Sequence, residues 1–396
     1  MPTLQAGTIL TPEERLARRR LILRDAISLV TLFLITAVIF ALTLLLYRSF
    51  ENHRQELGMR WKARGEAALN SGHPEQAIDA LRSALAYVPS RDTEIELATA
   101  LAAAGKTQEA TIYFSTLLES APGDGTINLQ LARLYAKQGK EPLALQHYQL
   151  ALDGTWAHNG FDRRRDVRLE MARYLLSRHE FDSARTQLLI AASNAPNDPN
   201  VKIEIAALLL QAHAPQDALG IYRSVAASRN PPIAALEGAG RTAFALGMYR
   251  VAADYLGRAL AGPQAAALPD NQKMTDRDML DTSLHILLLY PSLNLSPRNR
   301  AERILAIRKT ARQRLTDCSG TPTAVPPTLA VIVARWSQLP TTITLDQLEQ
   351  NPDLEQSILQ LAYDTETATA KTCGAPTGDD ALLFRIAGNP NAVEQE

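Results

Sequence analysis

Two cysteines, Cys318 and Cys373, are all that the 396 residues contain. Both stand in the last fifth of the chain, which excludes a disulfide scaffold, and they lack the paired spacing of a zinc site. They could form one bridge in an oxidising compartment or be two unrelated thiols; separation along the chain does not decide, because disulfide geometry is strict. An excess of one charge is lacking too. With 41 basic residues against 42 acidic ones the formal net charge is −1, so nothing draws the whole chain to nucleic acid, and any steering must come from local patches. Catalytic motifs are also missing: no GxSxG, HExxH, CxxC or GxxxxGK[ST] occurs. Without a nucleophile beside its base, a carboxylate pair, a metal set or a phosphate-cradling glycine loop, no enzyme, cofactor or metal is predicted, and no nucleic-acid partner is expected.

Long apolar runs are scarce, with one exception. Ala26 to Tyr47 is a stretch of 22 residues without a charge, about 33 Å as a helix against roughly 30 Å of bilayer hydrocarbon. A cleaved signal would be shorter and would end in small residues, whereas here the exit reads Leu46-Tyr47-Arg48-Ser49-Phe50. The spacing predicts a basic tail over 1–25, an uncleaved transmembrane helix over 26–47 and a juxtamembrane helix over 48–57. Arg15, Arg18, Arg19, Arg20 and Arg24 upstream are nearly matched by Arg48, Arg54, Arg60, Lys62 and Arg64 downstream. The upstream set is the more clustered, which places the tail in the cytoplasm and the rest across an inner membrane, in the periplasm of a bacterium.

Regularity is what the next stretch has. Ala77, Ala110, Ala144, Ala184, Ala218 and Ala252 follow one another at intervals of 33, 34, 40, 34 and 34 residues. Around each runs the same order of signals, as in Trp61, Gly65, Gly72, Ala77, Leu81, Ala84 and Pro89 of the first unit. Pro122 and Pro196 close the second and fourth units, and His179 and His213 replace the turn glycine in the fourth and fifth. This order resembles the tetratricopeptide repeat, a helix-turn-helix unit of 34 residues whose stacked copies share one core. The resemblance implies an all-α chain: an α-solenoid of about six hairpins over 58–266 behind the transmembrane helix, with a helical cap. The interval of 40 marks an insertion around Trp156 to Arg164, expected as a loop on one face. A metal held by His179 and His213 finds no carboxylate or cysteine companion.

In this family the first helix of each hairpin lines a concave groove, and the resemblance implies that Glu66, Ala100, Arg133, Arg173, Ala207 and Arg241 face it, with Ile95, Leu129, Leu169 and Ile203. Such an apolar trough with guanidinium groups suits an extended peptide bearing acidic and apolar residues. The competing reading is local pairing, as between Glu237 and Arg241 at i,i+4. The lysine and asparagine clamp of chaperone-binding members is absent, since Glu66 follows Lys62 where asparagine would be expected.

Beyond Gly262 the period fades. Asp278 to Tyr290 and a helix from Ser296 to about Leu315 are expected to form a degenerate hairpin capping the stack over 267–317, followed by a Pro/Thr-rich linker over 318–328 and a small helical, acidic region over 329–396. Arg298, Arg300, Arg303, Arg308, Lys309, Arg312 and Arg314 crowd the second helix. Nucleic acid or anionic lipid is one reading of them, and the acidic end of the chain folding back on them is the other. The expected work is that of a membrane-anchored adaptor or scaffold holding proteins or peptides during envelope assembly, secretion or quality control. A component of an envelope polysaccharide synthesis or export complex, or a cytoplasm-facing membrane scaffold, is the alternative.

Overall fold

The computed structural model describes residues 12–195, 198–319 and 326–395. Residues 1–11 of the basic tail, Pro196 and most of the Pro/Thr-rich linker fall outside that range. All regular elements among the described residues are helices, in two compact units, 1–158 and 159–396.

The first unit begins with α1 (Pro12–Asn70), 59 residues without a break, roughly 88 Å long. From Pro12 onward the expected tail, span and juxtamembrane segment are thus one helix with the first part of the first repeat. Every residue from Ala26 to Tyr47 is exposed, and the helix is long and apolar enough to cross a membrane. Packing against the repeats starts at Arg54, which donates to the Tyr87 carbonyl at 2.5 Å. At Gly58 a Cβ would lie 2.8 Å from Val88. Helices α2 (Pro74–Tyr87), α3 (Arg91–Ala103), α4 (Thr107–Ser120), α5 (Gly125–Lys137) and α6 (Glu141–Asp153) complete three hairpins.

The second unit continues with α7 (Gly160–Ser177), α8 (Phe181–Ser193), α9 (Pro199–Gln211), α10 (Pro215–Ala226), α11 (Ile233–Ala245) and α12 (Tyr249–Ala261). The insertion is only partly a loop. Gly160 to Arg164 form the first turn of α7, which has 18 residues where α9 and α11 have 13. The short remainder stays within the first unit: Thr155 exchanges backbone hydrogen bonds with Gly123 and Gly125 at 2.7 and 2.9 Å, and the Trp156 ring sits where a Cβ on Gly125 would be, at 2.5 Å.

One turn is repeated six times. His73, Lys106, Lys140, Glu180, Ala214 and Met248 each donate their N–H to the carbonyl five residues earlier, at 2.9–3.0 Å, the closing bond of a Schellman turn. That turn needs a left-handed residue, which Gly72, Gly105, Gly139 and Gly247 supply; His179 and His213 adopt it too, at φ 62° and 55°. The rings of both histidines lie edge-on to Phe181, with centroids at 5.8 and 4.5 Å.

The hairpins are held by reciprocal sizes. Gly65, Ala98, Ala132, Ala172, Ala206 and Gly240 on the first helices and Leu81, Phe114, Tyr148, Leu188, Tyr222 and Leu256 on the second are all buried, one small and one large residue to each hairpin. A Cβ on Gly65 or Gly240 would come within 2.6 Å of the facing leucine. All six repeat alanines are at 0% exposure. An Ala184→Phe substitution is therefore expected to cost about 1–3 kcal/mol by overpacking, measured by urea unfolding; an unchanged midpoint would refute this packing.

After the array come a 3₁₀ turn (Pro263–Ala267), α13 (Asp270–Leu289), α14 (Pro297–Ser319), α15 (Pro327–Gln338), α16 (Leu345–Glu349), α17 (Pro352–Cys373) and α18 (Gly378–Gly388). The capping hairpin expected over 267–317 takes another form. Helix α13 lies along α12, but α14 takes α17 as its main neighbour, because its apolar face (Ala301, Ile304, Ile307, Ala311, Leu315) is covered chiefly by the C-terminal helices. The basic helix thereby meets the acidic region: Arg300 pairs with Glu355 at 2.7 Å. Cys318 and Cys373, 5.8 Å apart at Cα, are joined by a disulfide.

Candidate functional site

With no catalytic constellation in the sequence, the site is sought on the inner helices of the hairpins. On α3, α5 and α9, Ile95, Leu129 and Ile203 are half-buried. Leu169 is committed to the core at 5% exposure. Ala100 is overturned as a facing residue. It is fully buried, and Thr99 occupies the equivalent place, because the first interval is 33 residues rather than 34.

The polar members are tied to neighbouring helices. In the first unit Lys62 bridges to Glu96 at 3.2 Å and to Glu66 at 3.7 Å, and Arg91 reaches Asp124, the N-cap of α5, at 3.2 Å. Arg133 is exposed on α5. In the second unit Arg173 pairs with Glu204 of α9. The Lys62–Glu96, Arg91–Asp124 and Arg173–Glu204 pairs each join one inner helix to the next. Exposed pairs of this kind contribute little stability, about 0–1 kcal/mol each, so Arg173 can change partner at small cost.

Arg241 differs. Its guanidinium grips Asp276 of α13 with two bonds, 2.6 and 3.0 Å long, and touches Glu237 at 3.3 Å. Asp276 is fully buried and Glu237 nearly so. Gln272 donates to Glu237 at 2.6 Å. Burial, and then the hydrogen bond with Asp276, push the Glu237 carboxyl above the usual carboxylate range. Arg241 is thus a strut between the sixth hairpin and α13. The signal for it lay outside the repeat period, in Gln272 and Asp276.

A family model of the tetratricopeptide repeat matches residues 62–124, 95–159 and 169–232. The hairpins over 62–159 and 169–232 are tetratricopeptide repeats. No curated protein matches the chain. Among solved structures, PilF of Pseudomonas aeruginosa is similar at 20% identity over 57% of this chain and 99% of that one, with a TM-score of 0.38. PilW, described as a widely conserved type IV pilus biogenesis factor, is similar at 18% identity over 57% and 97%, with a TM-score of 0.37. MamA AMB-1 gives 22% identity over 42% and 88%, with a TM-score of 0.32. The hairpin from α11 and α12 lies beyond the matched residues, yet has the same turn bond, from Met248 to Ala243 at 2.9 Å.

Proposed function

We propose that the chain is a membrane-anchored adaptor, without catalytic activity, whose tetratricopeptide repeats hold proteins or peptides on the periplasmic side of the inner membrane. The observation that carries this reading is the continuity of α1 from its exposed apolar stretch into the first hairpin. About ten residues, roughly 15 Å of helix, separate Tyr47 from the close packing at Gly58. A hinge would let the repeats wander, whereas an unbroken helix holds them near the bilayer.

The binding face proposed in the first unit is formed by Ile95, Leu129 and Arg133, and in the second by Ile203 and Arg173. Partner carboxylates would exchange with Glu204 for Arg173, a swap of one charge-assisted pair for another. Crosslinking in native membranes from a photoreactive residue at exposed Ala207, with mass spectrometry of the products, tests this. Charge reversal of Arg133 and Arg173 together is expected to lower the yield of crosslinked partner at least fivefold; an unchanged yield would sink the binding face. A C-terminal reporter active only in the cytoplasm, if it were active, would overturn the orientation.

A further inference from the structure

One carboxylate of the C-terminal bundle is in an unusual place. Glu366 on α17 is at 0% exposure, and neither of its oxygens has a hydrogen-bond partner among the described residues. Asp380 on α18 faces it, with its own Oδ1 buried and unpartnered. Around these two, α14 contributes Arg314 and Asp317, and α18 adds Asp379. Helix α15 offers only Arg335, which is tied to Asp364 at 2.5 Å. The charges of α16, Asp346 and Glu349, belong to the other end of α17, where Leu348 packs on Ile358. Among the described residues Arg314 is therefore the one cation beside the pair. Its Nη2 is engaged by the Gly374 carbonyl at 2.8 Å, and its Nε has no partner among the described residues.

Helix α18 is also the root of a strap. The segment after it docks on the turn of the sixth hairpin: Asn389 donates to the Leu246 carbonyl at 3.3 Å, the Arg250 N–H donates to the Val393 carbonyl at 3.2 Å, and the Arg250 side chain reaches Glu394 at 2.6 Å. Val393 is fully buried, and the Arg385 guanidinium lies over the Phe244 ring at 5.3 Å. The turns of the first three hairpins are open. A Cβ on Gly72, Gly105 or Gly139 would meet nothing within 4 Å, whereas one on Gly247 would touch Asn389 and Ala392.

We propose that Glu366 is a proton-operated latch: protonated, it keeps α18 packed on α17 and the strap seated, and its ionisation beside Asp380 frees α18 and uncovers the turn at Phe244 to Tyr249. An ionised carboxylate in a site with one shared, already engaged guanidinium is far less stable than in water. Burial first, and Asp380 next, push Glu366 up to about 8 from an ordinary 4.5. Because the folded value is raised, the stability it confers is complete below about pH 4.5 and is lost as pH rises towards 8.

Hydrogen exchange of the full chain in lipid nanodiscs, corrected for intrinsic rates, tests the latch. Between pH 6 and pH 9 the opening of 378–395 and of 244–252 is expected to rise on the order of a hundredfold, while the first three hairpins stay level. Glu366→Gln should hold both segments at pH 9 as closed as the wild type at pH 6. Protection of the wild type that is flat across this range would overturn the proposal without any variant. So would a Glu366→Gln protein that keeps the full pH response.

Discussion

Replacing Arg241 by methionine is expected to destabilise the second unit by about 3–5 kcal/mol, the cost of leaving buried charge without its partner. The effect is large because of what remains behind. Asp276 is fully buried and Glu237 is 5% exposed, and methionine keeps much of the side-chain volume while removing their common cation. Asp276→Asn should cost less, since Arg241 is partly exposed and keeps Glu237 at 3.3 Å. The two variants should also differ with pH. In Arg241→Met the Glu237 carboxyl, already held above the usual carboxylate range by burial, can relieve the deficit by protonation, so its stability gap to the wild type should narrow as pH falls from 7 to 4. Urea unfolding across that range, followed by hydrogen exchange over α11 and α13, measures both. A loss under 1 kcal/mol at pH 7 would mean that this pair does not hold α13 to the array.

Arg241 also marks where the sequence was legible and where it was not. The repeat spacing placed the turns, the small residues and the large residues opposite them, because those positions are dictated by packing within one hairpin. Even the histidines at 179 and 213 sat where glycine was expected and took the glycine conformation. Register within the second hairpin slipped by one, to Ala100 in place of Thr99, since a 33-residue interval looks the same as a 34-residue one until burial is known. What the period could not convey was any partner beyond the next repeat. The Asp276 that claims Arg241, and the α17 that turns α14 away from α13, both lie after the repetition stops. Their pairing follows from which apolar faces meet in three dimensions. The insertion was found by its length, but five of its residues extend a helix, a choice that the spacing does not encode.

Removing the bridge with Cys318→Ser and Cys373→Ser together is expected to cost roughly 4 kcal/mol, the chain-entropy value for a closure of this length, the two cysteines being 55 residues apart. The loss should be confined. The bridge ties the end of α14 to the end of α17, where Arg314 also donates to the Gly374 carbonyl at 2.8 Å. Protection in the last turns of α14 and α17, and in α18 beyond them, should fall, while the three hairpins of the first unit keep theirs. An equal loss in both units would show that the bridge acts on the whole chain. The same pair reports on compartment. A structural disulfide persists in an oxidising space and is reduced in the cytosol, so alkylation of intact cells before lysis should leave both cysteines unlabelled if the repeats are exported. Labelling of both would contradict the periplasmic orientation without touching the fold, because the apolar faces of α14 and α17 meet whether or not the sulfurs are joined.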